Sequence, residues 1–277
     1  MANKIISIIL PKSRFSFGLK ELMQYKDLIY IYAWREVKIK YKQAVLGVLW
    51  IVLQPLILML IINLFMSKIF NTNTAISMPY YLFVYSGLIL WGLFSNIVNN
   101  TVNNIVSNAG IIKKVYFPRL IIPISSGLAA LFDFIISYIV LLVFLVITDV
   151  NLLFHFNILY LVFSLIIVVL FGLAMGVIFS SFVVKYRDFK YILPFFIQLL
   201  FFASPIIYSF ESKISGIFKY LYYLNPLVLA FDLFRKSFIN GDIALQDSLL
   251  IITVVIIVLI IGIFLFRKTE EYIADII

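Results

Sequence analysis

Trp34 to Pro55 reads WREVKIKYKQAVLGVLWIVLQP, and the point at which its charge stops decides the fold. Arg35, Lys38, Lys40 and Lys42, with Lys26 upstream, end at Gln43, and an uncharged run then continues to Ser67. At 1.5 Å per residue, a run of about 25 residues crosses a hydrocarbon core of roughly 30 Å with some tilt. A cationic collar therefore precedes a membrane-spanning helix. Basic residues flanking a first span stay on the cytoplasmic side, so the amino terminus is expected in the cytoplasm.

Composition points the same way. Of 277 residues 64% are hydrophobic and 13% charged, with mean hydropathy +1.11. That much apolar surface needs lipid to cover it. The net charge of +9 clusters beside apolar runs, which fits contact with an anionic leaflet and not with nucleic acid. There is no Cys, so disulfides and thiolate metal sites are excluded. The apolar run Ile5 to Leu10 is too short for a signal-peptide core, and no cleavage is expected.

Residues 1–43 read as an arm on the membrane surface, with Leu22, Tyr25, Leu28, Ile29 and Tyr32 on one helical face. Val37, Ile39 and Tyr41 then alternate with Lys38, Lys40 and Lys42. No partner strand lies nearby, so a short helix or turn is expected there. Residues 44–277 read as one transmembrane domain. Gaps in charge place spans at about 44–67, 80–106, 120–147, 158–184, 191–209 and 248–266. The fold class expected is an all-α integral membrane protein of six spans with both termini cytoplasmic.

Loop charge agrees with this topology. The arm, Lys113, Lys114, Arg119, Lys185, Arg187, Lys190, Arg267 and Lys268 fall inside, and only Lys68, Lys213, Lys219, Arg235 and Lys236 outside. Segment 211–247 is apolar but interrupted. Ile217 to Leu224 and Val228 to Phe238 read as two short helices about an Asn225-Pro226 turn, a re-entrant hairpin between the fifth and sixth spans. Irregular backbone at that depth must be surrounded by protein or water, so the hairpin is expected to line or cap a pathway.

No catalytic constellation is visible. His155, the only histidine, reads as an exposed loop residue. No Gly-Lys dipeptide occurs, which excludes a P-loop; if ATP drives this protein, another chain binds it. Asp133 is the one formal charge inside an expected span, either paired across the bundle or on a proton path. Asn96, Asn99 or Asn100, Asn103 or Asn104, and Asn108 set one amide per turn along the second span, with Asn96, Asn100 and Asn103 taken as channel candidates, for interhelical bonding or for contact with a sugar or headgroup. Gly172, Gly176 and Ser180 recur every four residues, a pattern for close helix packing. Phe202, Tyr208, Tyr220, Tyr222 and Tyr223 belong to a ring-rich region divided between an interfacial belt and a pore lining. The loops SNAGIIKKVYFPR (107–119) and VKYRDFK (184–190) are short and basic, suited to anchoring or to lying in a groove of a cytoplasmic partner.

WREVKIKYKQAVLGVLWIVLQP, followed in order by PYYLFVYSGLILWGLFSNIVNN, NAGIIKKVYFPRLIIPISS, KYRDFKYILPFFIQLLFFASPIIYS and LNPLVLAFDLFRKSF, resembles the membrane subunit of ABC-2 type polysaccharide exporters, the O-antigen and capsule permeases. The resemblance implies a homodimer bound to two copies of a separate P-loop ATPase, which holds ATP and Mg while this chain holds no cofactor. It also implies an undecaprenyl-pyrophosphate-linked glycan as substrate, moved across the bacterial inner membrane. By the same resemblance Ile111, Lys113, Lys114, Tyr116, Phe117 and Arg119 fall on one ATPase-coupling loop, and Arg187 and Asp188 on a second. Arg35, Lys38, Lys40 and Lys42 fall on an interface and gate helix. Tyr220, Tyr222, Tyr223, Asn225 and Pro226, with the helix through Arg235, fall on an external gate. A wall teichoic acid exporter, a proton-coupled carrier using Asp133 and a membrane scaffold are the alternative readings.

Overall fold

The computed structural model describes residues 19–42, 46–66, 78–112, 114–115, 117–148, 156–186, 188–208, 222, 224–239 and 245–276. Among them every regular element is a helix: α1 (Leu19–Gln24), α2 (Lys26–Tyr41), α3 (Leu49–Met66), α4 (Tyr80–Ser107), α5 (Ala109–Ile112), α6 (Ile121–Ile147), α7 (Ile158–Lys185), α8 (Phe189–Ala203), α9 (Pro226–Lys236) and α10 (Leu245–Ile276). The alternating stretch from Val37 to Tyr41 is the last turn of α2, helical as expected for a segment without a partner strand. Among the described residues five helices are long and apolar enough to cross a membrane: α3, α4, α6, α7 and residues 251–269 of α10. They fall on the expected spans to within a few residues at most ends.

The span expected at 191–209 is the exception. Its helix, α8, has 15 residues, roughly 22 Å at 1.5 Å per residue, short of a hydrocarbon core. Pro205 ends it: the residue before a proline is pushed out of helical geometry, and Ser204 stands at φ −107, ψ 148. The chain continues as buried irregular backbone through Ser204, Pro205 and Ile206. Its carbonyls are met by the protein. Tyr80 donates to Ile207 O at 2.9 Å and Arg235 Nη2 to Ile206 O at 3.3 Å, which is what permits an open backbone at that place.

α7 is the hub, with α4, α9 and α10 packed on it. The small residues read from the sequence are the contact. A Cβ on Gly172 would fit tightly, 3.2 Å from Ile97, and one on Gly176 would clash at 2.8 Å from Thr101 Cβ, so α4 approaches α7 closest at Gly176, where a side chain would force the two apart. Phe94 of α4 stacks on Phe171 of α7, with ring centroids 5.5 Å apart.

α9 and the arm helix both meet protein. α9, the second half of the expected re-entrant hairpin, is buried on nearly every side by the described helices. Asn225 and Pro226 start it, Asn225 accepting from Leu227 N at 3.1 Å as N-cap and Pro226 in the first helical position. Ser164 of α7 donates to Ala230 O at 2.7 Å. The rest of the hairpin, 211–221, 223 and 240–244, lies outside the described residues, as do residues 1–18 of the arm. The arm helix also meets protein: Leu22 and Tyr32 are buried, with Tyr25, Leu28 and Ile29 beside them, against Ile105, Phe117, Ile121 and Phe266.

Candidate functional site

The second half of α2 lies along α6 and the end of α4, and its polar side chains form a continuous seam. Arg35 Nη2 donates to Asn108 Oδ1 at 2.7 Å, and Asn108 Nδ2 to Asn104 O at 2.8 Å. Asn104 Nδ2 donates to Ser126 Oγ at 2.8 Å. The Ser125 and Ser126 hydroxyls each lie 3.3 Å from Glu36 Oε1. One turn on, Lys40 forms an ion pair with Asp133, and the Tyr41 hydroxyl donates to the other oxygen of that carboxylate. Glu36 and Lys40 meet α6 about two turns apart, so α2 is fixed at two points along it.

Two titrating groups of α2 are perturbed. Burial pushes the Glu36 carboxyl up from 4.5 to about 7, against the lowering pull of the Ser126, Ser125 and Asn104 hydrogen bonds and the Arg35 charge. Each serine has one proton and also reaches Ile122 O, at 2.9 and 3.0 Å; a protonated Glu36 relieves that competition by donating. Burial, then the bond to Asp133 and its charge, raise the Tyr41 hydroxyl, so Tyr41 stays a donor. The Glu36 shift predicts a pH dependence. Folded protein holds a proton that unfolded chain has lost, so stability falls as pH rises from about 4.5 to about 7 and is flat above. Thermal midpoints in detergent at pH 5 and pH 8 should show that drop in the wild type and a smaller one in Glu36→Gln. Equal drops would remove Glu36 as the cause.

Two cavities flank the seam. The smaller, about 470 Å³, is lined by Arg35, Glu36, Lys40, Asn100, Asn104 and Asp133 among others. The larger, about 670 Å³, opens between α3, α4 and α6, with Trp50, Gln54, Trp91, Asn96, Ser95 and Phe201 in its wall. Lys40 and Asp133 belong to both. Amides and carboxylates beside indole faces can hydrogen-bond polyhydroxylated molecules and stack on their apolar sides.

Of the residues singled out in the sequence, Arg35, Lys40, Asn96, Asn100 and Asp133 come together here. Lys38 is exposed and sits over the Trp34 ring at 5.6 Å; Lys42 is exposed. Asn103 is exposed and lines neither of these cavities; Asn104 takes its place, because steps of four keep an amide on the face that steps of three leave. Phe202 is exposed, while Phe201 packs on Trp91 with centroids 5.4 Å apart. Tyr208 bonds to Phe202 O, and Tyr222 is half-buried. On the 107–119 loop Ile111 and Lys114 are exposed, Arg119 is half-buried and Phe117 is buried against Tyr32 at 5.9 Å. Asp188 is exposed at the start of α8. Lys113, Tyr116, His155, Arg187, Tyr220 and Tyr223 lie outside the described residues. Glu36, Ser125 and Ser126 are not singled out by the sequence reading, which has Tyr41 only in the alternating stretch. The available signal was Glu36 one helical turn before Lys40, a carboxylate on the seam face of a basic stretch.

A family described as ABC-2 type transporter matches residues 27–239. An O-antigen export system permease protein of Klebsiella pneumoniae, RfbA, is 28% identical over 256 residues, covering 91% of this chain and 95% of that protein. The protein of the same description from Myxococcus xanthus is 27% identical over 243 residues, 87% and 92% of the two chains. The polysialic acid transport protein KpsM of Escherichia coli is 29% identical over 242 residues, 86% and 91% of the two.

Proposed function

This chain belongs to the ABC-2 type transporter family, and from that premise we propose that it is the permease subunit of an ATP-driven exporter. Its cargo is a lipid-linked polysaccharide of the O-antigen or capsule kind, moved across the bacterial inner membrane through a channel between two copies of the chain. The observation that carries the reading is the end-to-end match to proteins named for O-antigen export and polysialic acid transport, covering more than nine-tenths of their length.

The physics is compatible. A glycan cannot dissolve in hydrocarbon, since each unpaired hydroxyl costs on the order of 2–7 kcal/mol, so it needs a wet passage. Of the 18 residues of α3 only Met59 is buried, leaving a long face free for lipid or for a second copy across a channel. Work is supplied by a separate ATPase, which holds ATP and Mg. Exposed Ile111, Lys114 and Val115, with Asp188, are where it docks, on the cytoplasmic side that the basic loops define. Phe117 links that surface to α2 through Tyr32, a route by which nucleotide-driven movement reaches the seam.

Inverted membrane vesicles containing this chain and its ATPase test the reading. Labelled lipid-linked glycan should enter the lumen only with ATP and both chains present. Uptake by the chain alone, driven by a proton gradient, would replace the exporter with a secondary carrier.

A further inference from the structure

We propose that the Lys40–Asp133 ion pair, braced by Tyr41, is a gate between the two cavities, and that hydroxyl groups of the passing polymer take over the Asp133 carboxylate when it opens. The proposal rests on the exporter reading and names a polar acceptor on its route.

The geometry points to a gate because the pair is a shared wall. Lys40 and Asp133 line both the 470 Å³ polar cavity and the 670 Å³ cavity with the indole rings, so parting them joins the two. The asymmetry of the pair says which side moves. The Asp133 side chain is 7% exposed and the Lys40 side chain 46%. Asp133 is set in α6, flanked by buried Phe134 and near Ser137, whereas Lys40 and Tyr41 are the last residues of α2.

The bonds that anchor α2 lie earlier, at Tyr32 on Phe117, Arg35 on Asn108 and Glu36 on Ser125 and Ser126. The last turn swings while the rest stays attached. Both partners of Asp133 come from that one turn, so its departure removes them together and leaves a buried carboxylate in need of donors. A carboxylate accepts only, and a glycan offers a dense row of hydroxyl donors. Chain entry and gate opening therefore stabilise each other, because each supplies what the other lacks. Asn96 and Asn100 stand in the walls of the larger and the smaller cavity, and continue that polar track along α4.

The chain contains no cysteine, so introduced thiols report alone. Ser95→Cys, with Lys40 and Asp133 untouched, places a thiol in the larger cavity. In inverted vesicles holding the complete transporter, a membrane-impermeant maleimide added on the arm-helix side is expected to label it at least tenfold faster during ATP turnover with glycan than at rest, and equal rates overturn the gate while leaving the exporter reading intact. Asp133→Asn, which removes the anionic acceptor, is expected to accumulate and to lose at least tenfold in export; unchanged export overturns the takeover of Asp133. Absence of export by the wild type would instead remove the premise.

Discussion

Arg235→Ala is expected to leave almost no folded protein in the membrane, the largest loss of any single substitution considered. Arg235 is buried at the end of α9, where Nη2 donates to Phe83 O at 3.1 Å and to Ile206 O at 3.3 Å. Nε reaches Ser86 Oγ at 3.4 Å, and the guanidinium lies 3.4 Å from the centroid of the Phe83 ring. One side chain thus ties α9 to α4 and to the irregular backbone after α8. Hydrogen bonds to a charged group contribute about 1.5–3 kcal/mol each, and truncation leaves two buried carbonyls without this donor. The summed loss is comparable to the whole stability of many domains. Arg235→Lys keeps the charge without the planar fork and should give an intermediate yield. Detergent-extracted protein eluting as one sharp peak on size exclusion is the measure; a wild-type peak from Arg235→Ala would mean that α9 is held by its apolar faces alone.

Gly176→Leu is expected to be the second most damaging change. Even a Cβ would stand 2.8 Å from Thr101 Cβ, with Thr101 Cγ2 and Oγ1 at 3.0 Å. Overpacking by single methylenes costs typically 1–3 kcal/mol, and here four carbons enter the hub contact of α4 with α7. The helices must separate, and the Phe94–Phe171 stack separates with them. Gly110→Ala is the matched control, since a Cβ there meets nothing within 4 Å. The thermal midpoint of purified protein should fall by many degrees, or the protein fail to accumulate, for Gly176→Leu and stay unchanged for Gly110→Ala. Equal midpoints would show that the close approach is not needed.

Much of this fold is legible without coordinates because a membrane simplifies the code. Charge is excluded from spans, so its gaps mark α3, α4, α6, α7 and most of α10. Small residues every four positions marked the α7 contact face, and Asn225-Pro226 marked where a helix begins. Each of these signals is local: it depends on solvent, helix period or backbone sterics, which neighbouring residues carry.

The candidate site was legible only as an inventory. Periodicity says that Asn100 and Asn104 share a face and that Asp133 sits inside a span. It does not say that Lys40, 93 positions away, closes on Asp133, or that Arg235, 152 positions from Phe83, settles over its ring. By itself the sequence determined the five long apolar runs, the small-residue contact face of α7 and the lack of a P-loop motif in these residues. Only the tertiary structure decided that the arm helix docks on α6 through Glu36, Lys40 and Tyr41, and that α9 lies inside the bundle. The reason is physical. Burial of an apolar run follows from its own composition, but the fate of a buried charge depends on which distant donor or acceptor the packing delivers to it.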